Sequence, residues 1–148
     1  MHRLILLVIL LGGLVYADES NTNLFLNTDV FELEVAADPQ ISPDSSRIVY
    51  VRRSNDIMTD RARTNLWIVG AQGGQHRPVI SGTDSYSSPR WSPDSTRIAY
   101  ISSAEGRGPE LYVRWMNTGQ TAMLSNLATS PSGITWSPDG NWIAFSAL

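Results

Sequence analysis

The 148-residue chain carries eleven basic residues, fourteen acidic residues and two histidines, for a formal net charge of −3, and it has no cysteine. This mild acidity argues against a nucleic-acid role, which usually needs a basic face. Without cysteine there is no disulfide framework and no thiolate metal site, so stability rests on packing alone.

The N-terminus reads as a targeting segment. Met1-His2-Arg3 is a short basic start, residues 4–15 are apolar apart from Gly12-Gly13, and Val15 and Ala17 stand three positions and one position before a cut after Ala17. This is the layout of a secretory signal peptide over residues 1–17. The alternative is an uncleaved N-terminal anchor, but the apolar run is twelve residues, against the roughly 20 that span a bilayer. Removing residues 1–17 takes the net charge from −3 to −4, because Arg3 is the one charged residue lost. The expectation is an exported protein, periplasmic or secreted, with no membrane attachment beyond export. Residues 18–29 are polar and read as a flexible N-terminal segment. Residues 30–35 (Val-Phe-Glu-Leu-Glu-Val) alternate apolar and polar, the period of a strand. That strand would set Glu32 and Glu34 on one solvated face.

An internal repeat organises the remainder. Ile41-Ser-Pro-Asp-Ser-Ser-Arg-Ile-Val-Tyr-Val51 aligns with Trp91-Ser-Pro-Asp-Ser-Thr-Arg-Ile-Ala-Tyr-Ile101 and with Trp136-Ser-Pro-Asp-Gly-Asn-Trp-Ile-Ala-Phe-Ser146. Ser42, Ser92 and Ser137 are 50 and 45 residues apart, and a period of about 40–50 residues built from short strands belongs to propeller blades. Ser42-Pro43-Asp44, Ser92-Pro93-Asp94 and Ser137-Pro138-Asp139 are type I turns by composition. Proline fixes φ at the second position, and serine and aspartate bond to local backbone. A large apolar residue precedes each turn (Ile41, Trp91, Trp136), and Trp67, Trp91 and Trp136 are expected in the core between blades. The run after each turn is apolar on both faces, as in a strand covered on both sides.

Further strands follow in the first two copies. Residues 65–69 and 110–115 read as third strands, and residues 77–80 and 121–124 as outer strands, with Pro78 suited to an edge. The fold expected is all-β: a partial propeller of four-stranded antiparallel blades near residues 30–82, 83–126 and 127–148. This makes about two and a half blades, and the third copy ends after its second strand at Leu148. A ring needs roughly 4–8 blades, so the natural chain is expected to continue.

These residues resemble the N-terminal propeller of the prolyl oligopeptidase family of serine peptidases, in particular its acylaminoacyl-peptidase and dipeptidyl-peptidase-like members. The likeness lies in Phe31-Glu-Leu-Glu-Val-Ala-Ala-Asp-Pro-Gln-Ile-Ser-Pro-Asp44, Asp60-Arg-Ala-Arg-Thr-Asn-Leu-Trp67, Ser88-Pro-Arg-Trp-Ser-Pro-Asp94 and Leu111-Tyr-Val-Arg-Trp-Met-Asn-Thr-Gly-Gln120. The Ser-Pro-Asp repeat alone is shared with exported TolB-like and WD40-like propellers. The resemblance implies a following α/β-hydrolase domain as partner in the same chain, hydrolysis of short peptides by a Ser-His-Asp triad, and a propeller that restricts access. The alternative is a non-catalytic exported TolB-like propeller that binds a protein or peptide.

The chain itself lacks the chemistry of cleavage. It has no Gly-x-Ser-x-Gly nucleophile turn, and past residue 17 its one histidine is His76, in a turn-like Gly-Gly-Gln-His-Arg-Pro stretch that reads as a solvated loop. No catalytic residue, metal site or cofactor is expected. The stretch from Arg52 to Arg63 is long for a hairpin connection. It carries Arg52, Arg53, Arg61 and Arg63. One reading is a loop whose guanidinium groups grip a substrate carboxylate or carbonyl, and the other is a solvated loop with internal ion pairs. Residues 105–109 form the equivalent loop of the second blade.

Overall fold

The computed structural model describes residues 26, 28–104 and 107–147. The segment read as a signal peptide, most of residues 18–29 and the start of the 105–109 loop lie outside the described residues. A short 3-10 turn, Asp29–Phe31, leads into ten strands: β1 Glu34–Ile41, β2 Arg47–Asp56, β3 Arg61–Gly70, β4 Arg77–Ile80, β5 Ser85–Trp91, β6 Arg97–Ser103, β7 Glu110–Trp115, β8 Thr121–Met123, β9 Pro131–Trp136 and β10 Ile143–Ala147. They form two four-stranded antiparallel sheets in the orders β1-β2-β3-β4 and β5-β6-β7-β8, and a two-stranded sheet of β9 and β10. These are two whole blades and half of a third.

The strand expected at 30–35 is displaced. Phe31 ends the 3-10 turn and Glu32 caps it, so Glu32 and Glu34 do not share a strand face. Pairing starts at Glu34 opposite Ser54, shifts at a bulge between Ala37 and Gln40, and ends with Ile41 opposite Ile48. The bulge recurs in β5 between Ser87 and Arg90. Asp38 and Ser88 sit at positive φ there, 46° and 53°, and Gly133 at 62° holds the corresponding place in β9. A bulge bends its strand and re-aims the side chains beside it.

The Ser-Pro-Asp motif builds the turn from its own side chains. Ser42 Oγ donates to Asp44 Oδ1 at 2.5 Å, and that carboxylate accepts from Ser46 N at 3.0 Å. Arg47 N donates to Ser42 Oγ at 3.0 Å, and Ser42 N bonds Arg47 O at 2.8 Å to open the β1–β2 ladder. The serine-carboxylate bond repeats at 2.5 Å in Ser92–Asp94 and Ser137–Asp139. Donation by the serine hydroxyl holds the Asp44 and Asp94 carboxyls down at about 2, and lowers Asp139. The fourth turn position has φ 59° in Ser45 and Ser95 and 70° in Gly140, which glycine alone adopts without steric cost.

Blades pack face to face. Val49, Val51, Leu66 and Ile68 of the first blade meet Tyr86, Trp91, Ile98 and Tyr100 of the second in one buried cluster. The other face of the second blade, through Ala99, Ile101, Leu111 and Val113, meets Ile134, with Trp136 and Ile143 partly buried beside it. Both faces of β6 are therefore covered, as its apolar run requires. The matching run in β10 is not: Phe145 is 39% exposed, because no third strand lies beside β10 among the described residues. Ile41, in the place of Trp91, is 67% exposed for a related reason. The blade it would pack against is not among the described residues.

Candidate functional site

The arginine-rich stretch is a ribbon and not a loop, which corrects the sequence expectation. β2 and β3 stay paired from Arg47 opposite Gly70 to Asp56 opposite Arg61, leaving only residues 57–60 as the turn. Asp56 organises that turn by accepting from Met58 N at 2.9 Å and from Arg63 Nε at 2.5 Å. The Met58 amide first, then Arg63, lowers its carboxyl.

The ribbon separates the four arginines. Neighbours in a strand project to opposite faces, so Arg52 and Arg53 cannot grip one ligand together. Arg52 pairs with Glu34 and lies 4.0 Å over the Trp67 ring. Arg53 is exposed. Arg61 and Arg63 line a cavity of about 520 Å³ with Thr83, Ser85 and Ser103 of the second blade. The structure thus brings together two of the four candidates, in a polar cleft where the ribbon tip leans over the next blade. Tyr86 N donates to Thr64 Oγ1 at 3.0 Å at the root of the cleft.

Trp67 departs from expectation, whereas His76 is exposed in a loop as read and carries ring partners besides. Trp67 lies on the face of the first blade that no described blade covers, half-buried beneath Arg52, with the His76 ring 5.0 Å away. His76 Nε2 is 2.6 Å from Tyr50 Oη, and the two rings stack. His76 is exposed, but it has partners.

Trp91 and Trp136 stand where expected, and their environment shows what the repeat is for. Trp91 Nε1 donates to Gln40 O at 3.1 Å, and Trp136 Nε1 to Arg90 O at 3.0 Å. Each ring carries a guanidinium of the preceding blade 4.9 Å from its centroid, Arg47 over Trp91 and Arg97 over Trp136. The same guanidinium donates to the next turn, Arg47 to Ser95 O at 2.8 Å and Arg97 to Gly140 O at 3.0 Å. Each seam is thus closed by an arginine-tryptophan latch. The outer motif copies lack half of it: Ile41 replaces the tryptophan, and Trp142, 75% exposed, replaces the arginine.

Sequence reasoning missed two polar features. Arg90 Nη1 lies 3.0 and 2.9 Å from the Asp38 carboxylate oxygens across the first seam. The Pro-Arg-Trp and Asp-Pro-Gln segments hold these residues, but the bulges that aim them have no local signature. Buried Glu110 accepts from Ser125 Oγ at 2.5 Å and Leu127 N at 3.1 Å. Those bonds fasten the segment after β8.

Four-stranded antiparallel blades stacked through matching faces define this chain as a propeller module. Residues 40–148 match the TolB beta propeller domain, and the chain belongs to that family. It is 33% identical over 115 residues to peptidase YuxL of Bacillus subtilis, covering 78% of this chain and 18% of that protein. Dipeptidyl-peptidase 5 of Porphyromonas endodontalis is 30% identical over 107 residues, covering 72% and 15%. The Tol-Pal system protein TolB of Acinetobacter baylyi is 38% identical over 82 residues, covering 55% and 19%. The chain therefore spans less than a fifth of the length of these relatives. Among solved structures, the β-propeller domain of the trilobed protease from Pyrococcus furiosus superposes with a TM-score of 0.65 at 16% identity, over 77% of this chain and 34% of that one. The propeller resembles that of prolyl-oligopeptidase-type peptidases, as the sequence suggested.

Proposed function

We propose that this chain is the N-terminal propeller segment of an exported serine peptidase that acts on short peptides, and that it admits and recognises substrate for a hydrolase domain outside residues 1–148. The observation that carries this reading is the reach of the peptidase likeness. It extends over 115 residues in YuxL at 33% identity, against 82 to 102 residues in the TolB relatives, the longest match being 28% identical. The cleft lined by Arg61 and Arg63 supports a recognition role, since a guanidinium beside hydroxyls suits a peptide carboxylate or carbonyl. Export rests on the residues 1–17 pattern and on the TolB relatives.

A second reading, a TolB-like propeller that binds a protein or peptide without cleaving it, is favoured by the higher identity over the shorter stretch. Two measurements separate them. The chain alone is expected to bind short peptides in fluorescence anisotropy and to leave chromogenic acyl-aminoacyl and dipeptidyl substrates intact. In the host, the intact gene product is expected to hydrolyse those substrates and to be inactivated by a serine-directed inhibitor. An intact product that binds peptide but never cleaves it sinks the peptidase reading. Mass spectrometry of the exported protein is expected to find Asp18 at the N-terminus, and retention of Met1 in the cytosol refutes export.

A further inference from the structure

The edge strands β1, β5 and β9 run beside one another in successive blades. One position before the motif's large apolar residue, they present Gln40, Arg90 and Thr135. These three are equivalent by register, opposite Val49, Ala99 and Ala144. Beneath the row lie Trp91, Trp136, Pro43 and Pro93, and together these groups line an open cavity of about 380 Å³. This is separate from the Arg61–Arg63 cleft, with no lining residue in common.

Arg90 is the one charged group in that lining, and it is held in place. Its Nη1 donates to both oxygens of Asp38 and to Pro89 O at 2.7 Å. Arg90 and Asp38 are each about one-third exposed, 33% and 32%. Among the described residues, Nε and Nη2 of Arg90 meet no acceptor. A guanidinium tied by one nitrogen keeps its other edge as a two-donor fork, the geometry that matches a carboxylate. Gln40, whose Nε2 donates to Asp38 Oδ1 at 2.8 Å, and Thr135 with its hydroxyl stand on either side. The ring and proline floor has no charge and takes an apolar side chain.

We infer that this row of edge-strand residues is a binding site for the C-terminal carboxylate of a peptide whose last residue is apolar. The carboxylate lies on the free edge of Arg90, and the last side chain rests on the floor between Trp91 and Trp136. The inference rests on the peptide-recognition reading above and names the part of the peptide that is read. Asp38 has two roles in it. It positions Arg90, and its charge opposes the incoming anion.

The opposed roles give the test. N-acetyl-Ala-Ala-Leu is titrated into the chain by calorimetry, against its C-terminal amide and against an amidated peptide carrying an internal glutamate. Circular dichroism and melting are followed for each variant. The free acid is expected to bind, and both amidated peptides to bind about tenfold more weakly or not at all. Arg90→Gln is expected to lose the free acid by a similar factor. Asp38→Asn, which the positive φ at 38 tolerates well, is expected to tighten it about two- to fivefold. A structural strut predicts a different pattern: both variants weaken binding in step with melting, and that result overturns the inference. Equal binding of acid and amide also overturns it and leaves peptide recognition standing. Preference for the internal glutamate transfers the site to acidic side chains and refutes the C-terminal assignment. Absence of all peptide binding removes the recognition reading itself.

Discussion

The two seams between blades share one latch but differ in depth. At the first seam, Val49, Leu66 and Ile98 are fully buried and Trp91 is 8% exposed. At the second, Trp136 is only partly buried and Phe145 stands open, although Arg97 and Trp136 keep the same 4.9 Å spacing as Arg47 and Trp91. The latch therefore forms from the first two strands of a blade, while deep burial needs the third and fourth. At the first seam Tyr112 of β7 packs against the core. At the second, the groove bounded by Leu111, Leu124 and Phe145 has no such strand over it among the described residues.

The largest test of this difference is truncation of the two tryptophans. Trp91→Ala is expected to lower stability by roughly 3–5 kcal/mol in urea denaturation, the usual loss for a buried aromatic. Trp136→Ala is expected to cost roughly 1–3 kcal/mol, because part of its surface is already in water. Equal losses refute the unequal seams. Next come the arginines. Arg47→Gln and Arg97→Gln are each expected to cost about 0.5–2 kcal/mol, from the lost stacking and carbonyl bond. The two values are expected to agree, since the latch geometry is shared. A marked difference shows that the latch depends on the strands behind it.

A smaller effect follows from the turns. Asp44 and Asp94 titrate at about 2 in the folded chain, against roughly 3.9 when unfolded. The unfolded state takes up the protons first as pH falls. The stabilisation by these carboxylates is complete above that unfolded value and drains away between about pH 4 and pH 2. Urea midpoints measured down to pH 2 are expected to drop over this window, and an Asp44→Asn, Asp94→Asn double variant to flatten the drop. The smallest effect is at the fourth turn position. Ser45→Gly relieves a positive φ that the third copy already gives to glycine, and a gain of roughly 0.5–1 kcal/mol is expected. Ser95→Gly is expected to gain less, because Ser95 Oγ accepts from Asp44 N at 3.0 Å across the seam.

The sequence by itself determined the blade. The Ser-Pro-Asp turn is a local device, closed by bonds among residues 42–47, and its recurrence with apolar runs announces stacked four-stranded units. Both outer strands, β4 and β8, were legible from their turn and edge residues. The strand extent around the arginines was not legible. Polar residues in a ribbon carry no hydrophobic period, and only pairing across ten residue pairs shows that Arg52 to Asp56 and Arg61 to Thr64 are strand. The tertiary structure alone decided which face each aromatic serves. Trp67 and Trp91 look alike in sequence, yet Trp91 is covered by the preceding blade and Trp67 lies under Arg52 on an open face. It also decided the pairing of Arg90 with Asp38, which are 52 residues apart in sequence. That contact arises from two bulges in neighbouring blades, and no spacing within either blade encodes it.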